Sequence, residues 1–243
     1  MYYFASDIHL GGGSAEAAQR VEQSFCRWLD AIADDAKMLF LVGDVFDFWF
    51  EYNGVVPKGF VRVLGRLAAL HDKGVRIVYL TGNHDMWQND YLAKECGVEL
   101  YKRPQEVTIA GRQMFVAHGD NMNIKGQPML KLLNWVFRSR VLRFLFAWLV
   151  HPDIAMAFGR WWSGRSRKAH EGSGYEAYLE PLCEYAETYA SAHGIKYFVF
   201  GHMHTTATRE TASYKAYFMG DWHTYPNYLV MDDGGNIEQK NFE

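Results

Sequence analysis

The chain has 243 residues and a mass of 28.0 kDa, enough for one sizeable core or for one core with an appended subdomain. Its 49% hydrophobic and 22% charged residues and formal net charge of −3 exclude the overall basic character of a dedicated nucleic-acid binder. Cys26, Cys96 and Cys183 are widely spaced and form no C-x-x-C, which supports neither a disulfide framework nor a thiolate zinc site and suggests a reducing, cytoplasmic setting.

The N-terminal YYFASD carries no basic n-region and apolar h-region, so no secretory leader is expected. Tyr2 to Ala5 reads as a first strand, and Ser6-Asp7-Ile8-His9-Leu10 with three glycines as the loop leaving it. From about Ala15 to Ala33, Val21, Phe25, Trp28, Leu29 and Ile32 recur at helical spacing and form one apolar stripe. Leu39 to Val42 is an uninterrupted apolar run, expected as a strand buried on both faces, and it ends at Gly43-Asp44. A helix is expected from about Pro57, with Phe60, Val63, Leu64, Leu67 and Leu70 as its stripe and Gly74 at its close. Arg76 to Leu80 is a third strand running into Thr81-Gly82-Asn83-His84-Asp85, and a short helix precedes Gly97.

Beyond residue 98 the strands shorten. Val107 to Ile109 and Met114 to Ala117 flank an Ala110-Gly111 turn as a hairpin that ends at His118-Gly119-Asp120. A helix over Tyr175 to His193 leads to Tyr197 to Phe200, then to Gly201-His202-Met203-His204 and further strand-like pieces in a mostly antiparallel or mixed sheet. The alternation predicts α/β layers in a single domain over 1–243. The segment 125–175 stands apart as an inserted helical cap. From Lys125 to Lys168, Lys125, Lys131, Arg138, Arg140, Arg143, Arg160, Arg165, Arg167 and Lys168 stand against one acid, Asp153, among Trp135, Trp148, Trp161 and Trp162. Its most membrane-like run, Val141 to Val150, is too short to span a bilayer and contains Arg143.

A strand-end Asp or a buried His is, taken singly, more often structural than functional. Here Asp-x-His, Gly-Asp, Gly-Asn-His-Asp, His-Gly-Asp and Gly-His-x-His each follow a β-like run. Oxygen and imidazole donors without thiolates suit Mn²⁺, Fe²⁺ or Zn²⁺. Asp7, His9, Asp44, Asn83, His118, His202 and His204 are too many for one tetrahedral ion. They suit two metals about 3.5 to 4 Å apart, which serve phosphoryl hydrolysis.

In that order, the five motifs resemble those of the calcineurin-like metallophosphoesterases across essentially the whole body of the chain. The resemblance implies a four-layer α/β/β/α sandwich of two mixed sheets flanked by helices. It implies that Asp7, His9 and His204 hold one metal, that Asn83, His118 and His202 hold the other, and that Asp44 bridges. His84 takes the place of the family's catalytic histidine, and Asn83 counts as a substrate contact as well. Asp47, Asp85 and Asp120 are candidates for orienting the imidazoles, or equally for turn and capping roles.

Within the family the chain looks like the UDP-2,3-diacylglucosamine hydrolases of lipid A synthesis, on GDVFDFWFEY (43–52), MGDWHTYPNY (219–228) and a cap between HGD and GHMH. That likeness implies cleavage of the substrate's pyrophosphate into UMP and a diacylglucosamine 1-phosphate, usually with Mn²⁺. The pattern departs at Gly-Asn-His-Asp, where well-studied members carry Gly-Asn-Arg-Asp. His suits an alkoxide leaving group as well, so another phosphomonoesterase or phosphodiesterase of the family is the alternative, with a non-catalytic metal-binding scaffold as a third reading.

The cap has two readings. Its helices either pack on the body with their Arg residues in water, or they offer an apolar, basic groove to acyl chains and phosphates and adhere peripherally to the inner leaflet of the cytoplasmic membrane. No nucleic-acid partner is expected. Arg165, Arg167 and Lys168 are the candidate phosphate contacts of the nucleotide-linked glycolipid, or a solvated helix end.

Overall fold

A computed structural model describes residues 1–122, 128–170 and 175–243, apart from the side chains at 128, 130, 133, 134, 165–170 and 175–178. Four strands, β1 (Tyr2–Ala5), β2 (Met38–Val42), β3 (Arg76–Leu80) and β4 (Glu99–Tyr101), pair in parallel. They are joined by α1 (Ala15–Ile32), α2 (Val61–Asp72) and α3 (Tyr91–Cys96). The last two strands, β10 (Asn227–Met231) and β11 (Ile237–Asn241), return antiparallel to β1 and complete the order β11-β10-β1-β2-β3-β4.

The second sheet is built from β5 (Gln105–Ile109), β6 (Arg112–Ala117), β7 (Tyr197–Phe200), β8 (Ala207–Glu210) and β9 (Lys215–Phe218), in the order β5-β6-β7-β9-β8. Its three central strands are parallel, and an antiparallel strand closes each edge. Helix α7 (Tyr175–His193) covers its outer face, where Leu182, Cys183 and Ala186 meet Phe115, Phe198 and Phe200. The architecture is a four-layer α/β/β/α sandwich.

β2 shows why its sequence does not alternate. Leu39 and Leu41 pack with Phe25, Leu29 and Leu67 under the helices, whereas Phe40 and Val42 join Met114, Val116 and Val199 between the sheets. With both faces dry, period-two patterning has nothing to distinguish. α1 starts where Ser14 accepts the Ala17 N–H, and it buries Val21, Phe25, Trp28, Leu29 and Ile32. α2 differs from expectation by beginning at Val61, so Pro57 lies outside its first turn. The cause is a left-handed entry, with Gly59 at φ +105° and Phe60 at +60°, that turns the Phe60 ring onto Phe46, 5.0 Å between centroids.

Three helices, α4 (Pro128–Arg138), α5 (Arg140–Leu149) and α6 (Pro152–His170), lie between β6 and α7. They meet the body through the loops after β2 and β3. The Trp87 indole N–H donates to the Phe137 carbonyl (2.6 Å), Tyr52 Oη donates to the Val150 carbonyl (3.0 Å), and Phe50 lies 5.2 Å from Phe146. Among the described residues the reading of α4 and α5 as buried on the body fails, whereas α6 buries Ala155 and Ser163. α5 buries none of its residues, and Trp135, Phe144 and Trp148 are 66%, 65% and 75% exposed. Among the described residues no helix is long and apolar enough to cross a membrane.

Candidate functional site

The strands β1, β2, β3, β6 and β7 all point their carboxyl ends at one edge, where backbone bonds continue the ladders into the loops. Asp7 and His9 donate their N–H groups to the carbonyls of Gly43 and Asp44, and Gly201 donates to His118. Asp7, His9, Asp44, His202 and His204 all adopt left-handed φ, from 48° to 69°. Such conformations cost of order 1–3 kcal/mol each and persist only where the surroundings over-determine them. Here the surroundings include close backbone approach, since a Cβ on Gly82 would collide with the Asp44 carboxylate.

Each of the two central carboxylates has one oxygen tied down and the other bare. Asp7 Oδ2 accepts the His202 N–H (2.9 Å) and Asp44 Oδ1 accepts the His84 N–H (2.8 Å). Asp7 Oδ1 and Asp44 Oδ2 are buried without a hydrogen-bond partner. Asp7 Oδ1 lies 3.4 Å from His204 Nε2 and 3.8 Å from His9 Nε2. Asp44 Oδ2 lies 3.1 Å from His118 Nε2 and 4.0 Å from both His9 Nε2 and His84 Nε2. Two anionic oxygens stripped of water and ringed by imidazole nitrogens need a cation between them. The donor groups Asp7, His9, His204 and Asp44, His118, His202 each converge within 4.8 Å, and Asn83 Oδ1 stands 3.2 Å from His118 Nε2. All seven ligand candidates thus come together, in an arrangement that fits a pair of divalent ions.

The imidazoles are aimed from behind. His118 Nδ1 donates to the Val42 carbonyl (2.9 Å), which leaves Nε2 as its ligating nitrogen. His9 Nδ1 faces Asp47 Oδ1 at 3.5 Å. His84 Nδ1 lies 2.9 Å from the Asp47 carbonyl, an acceptor only, so Nδ1 carries the proton and Nε2 faces Asp44. Electrostatics report the same demand for positive charge. Burial raises the pKa of Asp44, but His118 and His84 outweigh it and hold the carboxylate well below its usual range. Burial likewise opposes a charged His118, yet Asp44 drives its pKa well above the ordinary value. For His84, burial dominates and lowers the pKa to about 4.

Of the three aspartates proposed to orient imidazoles, only Asp47 reaches one. Asp85 instead accepts from Gly82 N (2.8 Å), Val45 N (2.9 Å) and Tyr79 Oη (2.6 Å), pinning the loop that carries Asp44 to the loop that carries Asn83. Asp120 accepts from Asn121 and from Arg138 at 3.3 Å. The side chains of Arg165, Arg167 and Lys168 lie outside the described residues.

Two further residues enter the site that the sequence did not single out. Ser163 of α6 is buried, donates to Asp47 Oδ1 (2.6 Å) and sits 3.0 Å from His84 Nδ1. His223 donates from Nε2 to the His9 carbonyl (3.2 Å), while Trp222 N donates to the Asp7 carbonyl (3.1 Å). Together these last two contacts prop the left-handed Asp7-Ile8-His9 backbone. Nothing local marks Ser163, whereas the WHTYPNY run does flag the second loop.

The family model described as calcineurin-like phosphoesterase matches residues 2–206. A protein of Porphyromonas gingivalis named UDP-2,3-diacylglucosamine hydrolase is 34% identical, with the alignment covering 95% of this chain and 93% of that one. Proteins of the same name from Edwardsiella ictaluri and Haemophilus influenzae (strain ATCC 51907 / DSM 11121 / KW20 / Rd) are 27% and 22% identical. They cover 96% and 97% of this chain, and 88% and 96% of their own lengths.

Proposed function

The chain belongs to the calcineurin-like phosphoesterase family, and on that footing we propose that it hydrolyses the pyrophosphate of UDP-2,3-diacylglucosamine to UMP and 2,3-diacylglucosamine 1-phosphate. The observation that carries the chemistry is the pair of buried, unpartnered oxygens, Asp7 Oδ1 and Asp44 Oδ2, among converging imidazoles. In this reading Asp7, His9 and His204 would hold one divalent ion, Asn83, His118 and His202 would hold the other, and Asp44 would serve both. Mn²⁺ suits the mixed oxygen and nitrogen donors, as do Fe²⁺ and Zn²⁺. When bound, such a pair supplies Lewis-acid charge and lowers the pKa of water into the neutral range.

The chain's own residues do the rest. Asp44 and Asn83 fix the geometry of attack. His84, with Nδ1–H held by the Asp47 carbonyl, presents Nε2 to the phosphoryl group; burial keeps the ring neutral on its own, and the phosphoryl anion beside it favours uptake of a proton at Nε2, which then stabilises an equatorial oxygen or passes to a departing one. Asp47 and Ser163 hold His9 and His84 in register.

The choice of substrate is supported by the curated relatives and by the three helices α4 to α6, read as a cap inserted in a single domain. Their exposed Leu132, Trp135, Phe144, Trp148 and Trp161, interleaved with Arg140, Arg143 and Arg160, suit acyl chains and peripheral adhesion to an anionic inner leaflet. Arg165, Arg167 and Lys168 are the phosphate contacts in this reading, and no nucleic-acid partner is required. A Mn²⁺-supplemented assay comparing UDP-2,3-diacylglucosamine, its deacylated form and a generic aryl phosphodiester tests the proposal. Release of UMP should be fastest from the diacylated substrate; faster cleavage of the aryl diester would overturn it in favour of a general phosphodiesterase.

A further inference from the structure

Beside the metal centre, on the side of the second sheet, a cavity of about 210 Å³ opens between the β4–β5 turn, the loop after β6 and α7. Its wall begins at His118 itself and continues through Gly119 to Met122. Lys102 and Arg103 form the opposite rim, Arg138 closes one end, and Tyr185 lines it from α7.

The charge of this cavity is unbalanced. Among the described residues neither Lys102 nor Arg103 has a carboxylate within 4 Å, and Arg138 meets only Asp120. Lys102 Nζ is held by the Gln88 carbonyl at 2.5 Å, a neutral acceptor. Burial, and after it Arg143, lower its pKa, with Glu51 acting the other way. The lining is also partly flat and apolar, through the Tyr185 ring, Pro104 and Met122, with amide and hydroxyl groups from Asn121 and Thr81. A phosphate with an attached polar ring fits this mixture of cations, flat apolar surface and amide edges better than a hydrocarbon chain does.

We propose that this groove takes the nucleoside 5′-phosphate half of the substrate, with Arg103 and Lys102 on its phosphate and the base against Tyr185. The assignment rests on the pyrophosphatase reading above and gives that reading a direction. A pyrophosphate at the metals must extend two ways. α6 meets the centre through Ser163 beside His84, and this cationic groove begins at His118 and ends at Arg138 of α4, so in this assignment the acyl half leaves Asp44 by way of His84 and the polar half by way of His118.

UMP binding to the Mn²⁺-loaded protein, measured by calorimetry, tests it together with photo-crosslinking by 4-thio-UMP. Arg103 is exposed, so Arg103→Glu leaves the fold intact. It should weaken UMP by about tenfold or more, the worth of a charge-assisted contact, with Arg103→Lys intermediate. In steady-state kinetics it should raise KM for the UDP-linked substrate more than it lowers kcat. Crosslinks should map to residues 119–122 or to Tyr185. Unchanged UMP affinity in Arg103→Glu, or crosslinks confined to α5 and α6, would overturn the assignment even if the wild type cleaves UDP-2,3-diacylglucosamine. Binding of UMP as expected, without such cleavage, would instead remove the substrate reading and leave a mononucleotide site.

Discussion

Removing the Asp85 carboxylate should loosen both metal-bearing loops at once. Asp85 is fully buried and accepts from Gly82 N, Val45 N and Tyr79 Oη at 2.6 to 2.9 Å. Asp85→Ala leaves three donors without a partner in a dry site. At about 1–3 kcal/mol for each unsatisfied group, partly relieved by water entering the space, the loss is about 4 kcal/mol. For a chain of this length that lowers Tm by roughly 8–16 °C. Val45 adjoins Asp44 and Gly82 adjoins Asn83, so the same change should weaken retention of divalent metal. Asp85→Asn keeps one acceptor oxygen and should lose about half as much. Urea denaturation with metal content determined by elemental analysis measures both effects. An Asp85→Ala protein within about 1 kcal/mol of wild type and fully metallated would refute the view that this side chain, rather than the strand ladders, holds the loops together.

Asp44→Ala should abolish hydrolysis and release at least one of two metals, and an active, fully metallated variant would contradict the bridging assignment. His84→Ala should lower turnover by about 10²–10⁴-fold with metal content unchanged, because its Nε2 acts on substrate; loss of metal would make it a ligand instead. His223→Ala removes the donor to the His9 carbonyl and should weaken metal binding by about tenfold. His223→Gln, which can restore an N–H at that carbonyl, should recover part of it in a metal titration, and equal affinity in all three proteins would show that the contact is incidental. Replacing Phe144 and Trp148 by Ser should reduce co-sedimentation with anionic vesicles while leaving Tm nearly unchanged, since both side chains are exposed; equal sedimentation would refute peripheral attachment through this face.

What the sequence alone determined is local and periodic. The 3.6-residue stripes placed α1 and the later half of α2, the apolar run marked β2 as doubly buried, and the five short motifs named the side chains that converge at the sheet edges. These follow because each signal lies within one element: a helix face and a strand end are written in consecutive residues. The tertiary structure decided what depends on partners distant in the chain. Asp85 and Asp120 carry the same motif-level signature as Asp47, yet only Asp47 faces an imidazole, because Val45 and Tyr79 claim the one and Arg138 the other. The interleaved apolar and basic residues of the cap read equally as core or as surface, since a sequence shows that a segment is apolar and not what covers it; among the described residues α4 and α5 meet the body at the loops around Phe50, Trp87 and Asp120. Ser163 joins Asp47 and His84 from 116 and 79 residues away, and His223 supports His9 across 214, separations over which no local pattern carries information. The left-handed turns at Asp7, His9, Asp44, His202 and His204 likewise belong to the assembled edge, where loops from both sheets hold conformations that none of those residues prefers alone.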